Sequence, residues 1–223
     1  MPQALILWTL LLFCFNSTAQ GQNSGGGQTR PTGALSAGVA QFNVLSPGDI
    51  RMNNGQFFSL SGEKGFGFWR LYIEALFDYY KTTGTLNYNY QSPTGVTYTA
   101  NQVNYGFEKF LGGVGIRWKI IQRAPFRPYI EAGVGAGYVQ ISYDQTLRTS
   151  ALTALGRDFK TFDTVLDFTH YGEAGFEFGL IKSFGIKVAA RYMDCSMRIL
   201  ETLRKQSPRY TTLIYYGGIF ASF

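Results

Sequence analysis

Charge is scarce in this chain: Asp, Glu, Lys and Arg together make up 15% of its 223 residues, against about 25% in ordinary soluble domains. Histidine occurs once, at His170, and cysteine twice, at Cys14 and Cys195. So few ligating side chains leave no cluster with metal-site spacing, and neither a metal nor another cofactor is expected. Long apolar runs are missing too. After residue 20 nothing approaches the roughly 20 mainly apolar residues of a helical span, which excludes a polytopic helical membrane protein. There is no internal repeat and no block of like charge. The net charge of +6, from 20 Lys and Arg less 14 Asp and Glu, is scattered along the chain. Scattered bases and an exported chain give no nucleic-acid partner.

What the chain has in quantity is aromatic residues and glycine. Phe, Trp and Tyr reach 17%, with 19 Phe and 15 Tyr, and there are 27 Gly. The mean hydropathy is −0.05. An aromatic, glycine-rich, charge-poor sequence without long apolar runs is what a β-barrel in lipid requires.

The amino end carries an export signal. Leu5 to Phe15 is apolar, and Ser17-Thr18-Ala19 supplies small residues for cleavage before Gln20, so residues 1–19 read as a signal peptide. The alternative, an uncleaved anchor helix, has a shorter apolar stretch than a span needs. Cys14 follows bulky Phe13, where a lipoprotein signal has Gly or Ala, so lipid attachment there is rejected. Cys195 is then the one cysteine of the mature chain, and no intrachain disulfide forms. Residues 20–33, with Gly25-Gly26-Gly27, have the composition of a flexible leader, and residues 34–223 read as a single barrel domain.

Within that domain the recurring signal is alternation with period two. From Trp69 to Tyr80, Leu71, Ile73, Ala75, Phe77 and Tyr79 share one face, opposite Arg70, Tyr72, Glu74, Leu76, Asp78 and Tyr80. Phe110 to Ile120 and Phe168 to Leu180 repeat the pattern, and Lys187, Ala189 and Arg191 oppose Ile186, Val188 and Tyr192. Strands are expected near 34–45, 51–61, 66–90, 96–120, 127–143, 165–180, 184–195 and 210–223. Asn53-Asn54-Gly55 interrupts the second of these. Turns are expected at Gly62-Glu63-Lys64-Gly65, Ile121 to Phe126 and Ile181-Lys182-Ser183, and long loops at 144–164 and 196–209. Eight strands joined by alternately short and long connections make an all-β, antiparallel, up-and-down transmembrane barrel of the outer-membrane kind, with its short turns in the periplasm.

If the apolar face meets lipid, the inward set contains Arg70, Glu74, Asp78, Arg117, Lys119, Glu131, Glu173, Glu177, Lys187 and Arg191. Five acids and five bases balance, as the cost of an unpaired buried charge demands. Eight strands leave an interior just wide enough for side chains to fill, so this set reads as an ion-pair network closing the lumen. Gly133-x-Gly135-x-Gly137 lacks the dinucleotide fingerprint and continues as strand, so these glycines make room for large neighbours. Trp69 and Trp118 flank short turns, where an interfacial girdle is expected; in a soluble barrel the same positions would be core.

Two strands outrun the membrane. A tilted strand crosses in about 9 to 11 residues, yet the pattern runs from Trp69 to Tyr90 and from Val96 to Ile120. The excess, Thr82 to Tyr105, carries no charge and includes Tyr88, Tyr90, Tyr98 and Tyr105. It reads either as a surface for a partner or as a closure of the barrel mouth. Arg198, Arg204, Lys205 and Arg209 gather in the last long loop, where they either meet lipopolysaccharide phosphates or pair along a solvated helical turn.

The carboxyl end is the most specific feature. Tyr216-Gly217-Gly218-Ile219-Phe220-Ala221-Ser222-Phe223 resembles the terminal β-signal of outer-membrane proteins, with polar Tyr216, Gly218 two residues on, and apolar Ala221 and Phe223 third from last and last. Pro128 to Tyr138 looks like strands of the small outer-membrane barrels related to the OmpA and OmpX transmembrane domains. The resemblance spans about residues 34 to 223 and implies assembly by the barrel assembly machinery in a Gram-negative outer membrane, among outer-membrane lipid and lipopolysaccharide. Enzymes of that class need a histidine with carboxylate or serine partners. His170 stands in Thr169-His170-Tyr171-Gly172-Glu173, without the His-x-Ser-Asn pattern of the lipid A deacylases, and no catalytic residue is assigned. The expected function is a non-enzymatic barrel for surface interaction or envelope assembly; the alternative is a narrow transporter or a conduit for hydrophobic ligands.

Overall fold

A computed structural model of the chain describes residues 31–45, 50–66, 70–91, 97–121, 125–143, 162–181, 183–196 and 209–222. The segment expected to be a signal peptide, most of the expected leader, Trp69, most of the segments expected as long loops, with Arg198, Arg204 and Lys205, and Phe223 lie outside the described residues. The strands are β1 Thr32–Val44, β2 Ile50–Met52, β3 Gly55–Gly65, β4 Leu71–Gln91, β5 Thr97–Lys119, β6 Phe126–Tyr143, β7 Phe162–Ile181, β8 Phe184–Ser196 and β9 Arg209–Ser222.

Every pairing is antiparallel; with β2 and β3 counted as one interrupted strand each strand pairs with its neighbours in sequence, and β1 joins β9 from Thr32↔Ser222 to Val44↔Tyr210, which closes the sheet. The result is an all-β barrel of eight strands, with β2 a short extra piece. It continues the line of β3 beyond a break at Asn53-Asn54 and pairs with Gly84 to Leu86 of β4. The asparagines that leave the ladder are re-used locally: the Asn53 amide N–H donates to the Thr83 carbonyl at 2.9 Å and its side-chain Nδ2 to Thr83 Oγ1 at 3.1 Å.

Two expectations are corrected near the first short connection. Gly62-Glu63-Lys64-Gly65 is strand, paired with Ala75 through Tyr72, and not a turn. The chain reverses after Phe66, and β4 starts at Leu71 instead of residue 66. Arg70 sits in that reversal with φ of 57°, a left-handed conformation outside the sheet, so β4 begins two residues later than the alternation from Trp69 implies.

Alternation then sorts the residues. Ile73, Val114, Ile116, Trp118, Ile130, Val134, Phe176, Phe178, Ile186, Val188 and Ile219 are exposed on the outer wall. Such a continuous apolar exterior is stable in lipid and a liability in water. Glycines inside the wall admit bulky rings: a Cβ on Gly133 would lie 2.3 Å from Tyr171 Cζ, and one on Gly175 would lie 2.5 Å from the Tyr129 hydroxyl. Past Leu86 and Val103, β4 and β5 pair only with each other among the described strands, as far as Gln91↔Thr97. This two-stranded ribbon reaches up to about 17 Å along β4, the residues from Asn87 to Gln91 at ~3.4 Å each.

Candidate functional site

The interior is a column of buried ionisable side chains. Glu74, Asp78, Arg117, Lys119, Glu131, Glu173, Glu177, Lys187 and Arg191 all point inward and are at most 5% exposed. Arg70, assigned to this set from alternation, is outside it: it lies exposed in the turn, and its guanidinium donates to the Ile120 carbonyl. Three members were missed, Glu63, Lys109 and Asp167, all buried and inward. Five expected acids plus two make seven, and five expected bases less Arg70 plus Lys109 make five. Among the fully buried groups of the described residues the expected balance is therefore corrected to an excess of two acids, with the partly buried Arg127 3.8 Å from Glu177 beside them.

Arg117 of β5 is the hub. Its Nη1 reaches Glu63 at 2.8 Å and Glu177 at 3.3 Å, its Nε donates to Glu131 at 2.8 Å, and its Nη2 lies 2.7 Å from both Glu74 and Glu131. Lys119 bridges Glu63 and Glu177, the latter at 2.9 Å. One turn of the column higher, Arg191 donates through Nε to Glu173 at 2.6 Å and through Nη1 to Asp78, while Lys187 pairs with Glu173 at 3.1 Å. Five fixed cations thus reach seven carboxylates, because Arg117 and Arg191 present planar forks with several donors.

Tyrosines supply further donors, while both Glu74 oxygens, Asp78 Oδ1 and Asp167 Oδ1 have no hydrogen-bond partner among the described residues. The hydroxyls of Tyr80, Tyr129, Tyr171 and Tyr210 donate to Asp78, Glu173, Glu131 and Asp167 at 2.9, 2.7, 2.9 and 3.1 Å. A phenol gives a carboxylate a hydrogen bond without adding a charge, which is how the acid excess is accommodated. The rings also lie against the cations: the Arg117 guanidinium is 4.2 Å from the Tyr129 centroid and the Arg191 guanidinium 4.9 Å from that of Tyr171.

Toward the end of the barrel away from Arg70, the column finishes in a second, smaller cluster. Lys109 Nζ donates to Asp167 at 2.8 Å, Thr169 Oγ1 at 2.8 Å and the Tyr210 hydroxyl at 3.2 Å, and lies 3.4 Å from the buried Cys195 Sγ. Above it Phe107 packs edge-on to Phe42 and Tyr210, with centroids 5.8 and 6.0 Å away. Tyr105 joins this cap. Expected on the recognition surface, it is instead buried and inward, its hydroxyl donating to the Arg51 carbonyl at 3.1 Å. Its parity is that of Phe107, Lys109 and Leu111, so the same alternation that turns those inward also buries Tyr105. The side chains of Tyr88, Tyr90 and Tyr98 lie outside the described residues.

Of the terminal residues, Tyr216 is buried in the lumen, 3.4 Å from Arg191 Nη2, while Gly218 pairs with Ser36 and Ala221 with Gly33 in the closing seam. His170 is exposed on the outer wall, opposite Val134 and Asp194. Among the described residues no group of three His, Cys, Asp or Glu side chains is placed to hold a metal.

No family model and no curated protein matches the chain. Solved structures do match in fold. Neisserial surface protein A superposes with a TM-score of 0.59 at 13% identity, covering 88% of this chain and 99% of that one. The outer membrane protein OprG from Pseudomonas aeruginosa gives 0.53 at 11%, covering 90% and 99%. Ail, the attachment invasion locus protein of Yersinia pestis, in complex with the heparin analogue sucrose octasulfate, gives 0.50 at 14%, covering 86% and 99%. With its closed ring of eight antiparallel strands and its apolar outer wall, the chain has the fold of the small outer-membrane β-barrels.

Proposed function

We propose that the protein is a non-enzymatic outer-membrane barrel whose lumen is closed and whose β4–β5 ribbon, standing beyond the barrel at its extracellular end, engages a surface or envelope partner. One observation carries the first half: seven buried acids and five buried bases, cross-linked through Arg117 and Arg191, fill the bore from the short-turn end to the aromatic cap. Moving an ion or solute through would require breaking several desolvated pairs at once. For the second half, support comes from the length of β4 and β5 and from their lack of any other described strand partner past Leu86 and Val103. An extended ribbon whose edges carry no other described strand offers backbone donors and acceptors to an added strand. Outer-membrane residence rests on the apolar wall and the shared fold, with lipopolysaccharide and lipid as its surroundings and the barrel assembly machinery reading the final strand. Catalysis is not assigned, since the one histidine faces outward.

The test replaces residues 87–102 with a short Gly-Ser turn, keeping Gly84 to Leu86 as the partner of β2. The barrel stays folded, shown by unchanged heat-modifiable mobility, and pull-down from intact cells loses its partner. Recovery of the same partners with and without the ribbon contradicts the assignment.

A further inference from the structure

On the outer wall near the extracellular end lies an open cleft of about 450 Å³, lined by Asn53, Thr83, Gly84, Asn104, Tyr105, Gly106 and Ser142. Its position follows from the register. Along β4 the outward residues run Phe77, Tyr79, Lys81, Thr83, and across the sheet they meet Gly112, Phe110, Glu108 and Gly106. Three levels are therefore stacked. Lowest is an aromatic edge, Phe58, Tyr79, Phe110 and Tyr138, successive partners across four strands, with Tyr79 and Phe110 centroids 4.9 Å apart. Next is an exposed ion pair, Lys81 to Glu108 at 2.9 Å. The cleft comes one level above, where Thr83, Gly106 and Ser142 are successive partners.

Aromatic residues mark the boundary of the hydrocarbon layer, so the cleft opens sideways at headgroup depth. The lining sets the ligand class. The Asn53 and Asn104 amides and the Thr83 and Ser142 hydroxyls offer donors and acceptors, the Tyr105 phenol being engaged with the Arg51 carbonyl, and no charged side chain is among the lining residues. Acyl chains find no aliphatic wall there, and among the described residues no cationic side chain lines it: Lys81, one level below, is paired with Glu108, and Arg51 contributes its carbonyl to the Tyr105 hydroxyl. Gly106 keeps the floor low, and the break at Asn53-Asn54 leaves the side open. At Gly84 a Cβ would lie 2.5 Å from the Tyr105 ring, so this ring backs the cleft and separates it from the lumen.

We infer that this cleft seats a neutral sugar ring of a glycolipid in the surrounding outer leaflet. The assignment rests on the outer-membrane reading above, since only a membrane-inserted barrel holds the cleft at headgroup level.

The experiment uses the full chain in phospholipid nanodiscs, titrated with lipopolysaccharide carrying its core sugars, with lipid A stripped of them, and with the delipidated core oligosaccharide. Amide NMR shifts at Thr83, Asn104, Gly106 and Ser142 are the readout. Core-bearing lipopolysaccharide should shift all four, lipid A should not, and the free oligosaccharide should bind at least tenfold more weakly. Gly106→Leu, which fills the floor, should weaken binding at least tenfold with heat-modifiable mobility unchanged; Asn104→Ala, a milder change, should weaken it in the same direction. Equal shifts from lipid A, equal affinity for the free oligosaccharide, or undiminished binding by both folded variants overturns the inference while leaving the closed barrel intact. Failure of the chain to insert into nanodiscs overturns both.

Discussion

Glu63 and Glu74 are direct partners across β3 and β4, two buried carboxylates opposed in the lumen. Like charges so placed repel, and Arg117, reaching across from β5, contacts both, at 2.8 and 2.7 Å. Arg117→Met removes the shared cation and leaves this pair uncompensated. A loss of about 3–5 kcal/mol is expected, as for breaking a buried ion pair from one side. Urea unfolding of the folded barrel in lipid vesicles measures it. Adding Glu63→Gln and Glu74→Gln to Arg117→Met should recover part of the loss; no recovery would mean that Arg117 acts by packing alone.

A second expectation concerns the tyrosine donors. Gly133→Val places side-chain atoms where the Tyr171 ring lies and should displace the hydroxyl that donates to Glu131. Overpacking costs typically 1–3 kcal/mol, and the lost hydrogen bond to a buried carboxylate adds to it. Tyr171→Phe isolates the second contribution, since it deletes only the hydroxyl. Gly133→Val should therefore be the less stable of the two in the same unfolding assay, and the reverse order would contradict the packing argument.

The eight strands were legible because lipid outside and charges inside impose period two on every crossing. Lys109 and Asp167 fall inside the expected strands 96–120 and 165–180, one residue before the clear alternation that starts at Phe110 and Phe168, and carrying that alternation one residue back adds both to the inward set. Glu63 was hidden in Gly62-Glu63-Lys64-Gly65, whose glycines mimic a turn although the whole segment is paired with β4. Arg70 failed for the opposite reason: parity places it inward, but its left-handed backbone takes it out of the sheet. Composition groups Tyr105 with the tyrosine-rich hairpin, whereas its parity with Lys109 turns it toward the lumen. The acid excess and the phenols that accommodate it emerge only once the register brings Tyr129 to Glu173 and Tyr171 to Glu131, contacts 44 and 40 residues apart in sequence.

Assembly gives a third expectation. Deleting Phe223 should yield an exported but unassembled chain, because the final strand loses the terminal residue that resembles the assembly signal. Heat-modifiable mobility on cold gel electrophoresis reports it, and full mobility shift by the truncated protein would show that Phe223 is dispensable.

A fourth concerns chemistry. His170→Ala should leave lipid A composition and surface proteolysis unchanged, because the imidazole sits on the outer wall between Val134 and Asp194 in neighbouring strands. Mass spectrometry of lipid A from cells expressing either form checks this. A lipid A mass change that requires His170 would establish an enzymatic role.

The closed lumen is tested most directly by planar-bilayer recording on the purified, refolded full chain. A bore filled by Arg117, Arg191, their carboxylate partners and the aromatic cap predicts a silent bilayer at moderate voltage. Deleting side chains in that column, as in Arg191→Ala combined with Glu173→Ala and Asp78→Ala, should begin to admit ions if the variant folds. Stable, reproducible single-channel openings from the unaltered protein would contradict the account and assign the barrel to transport.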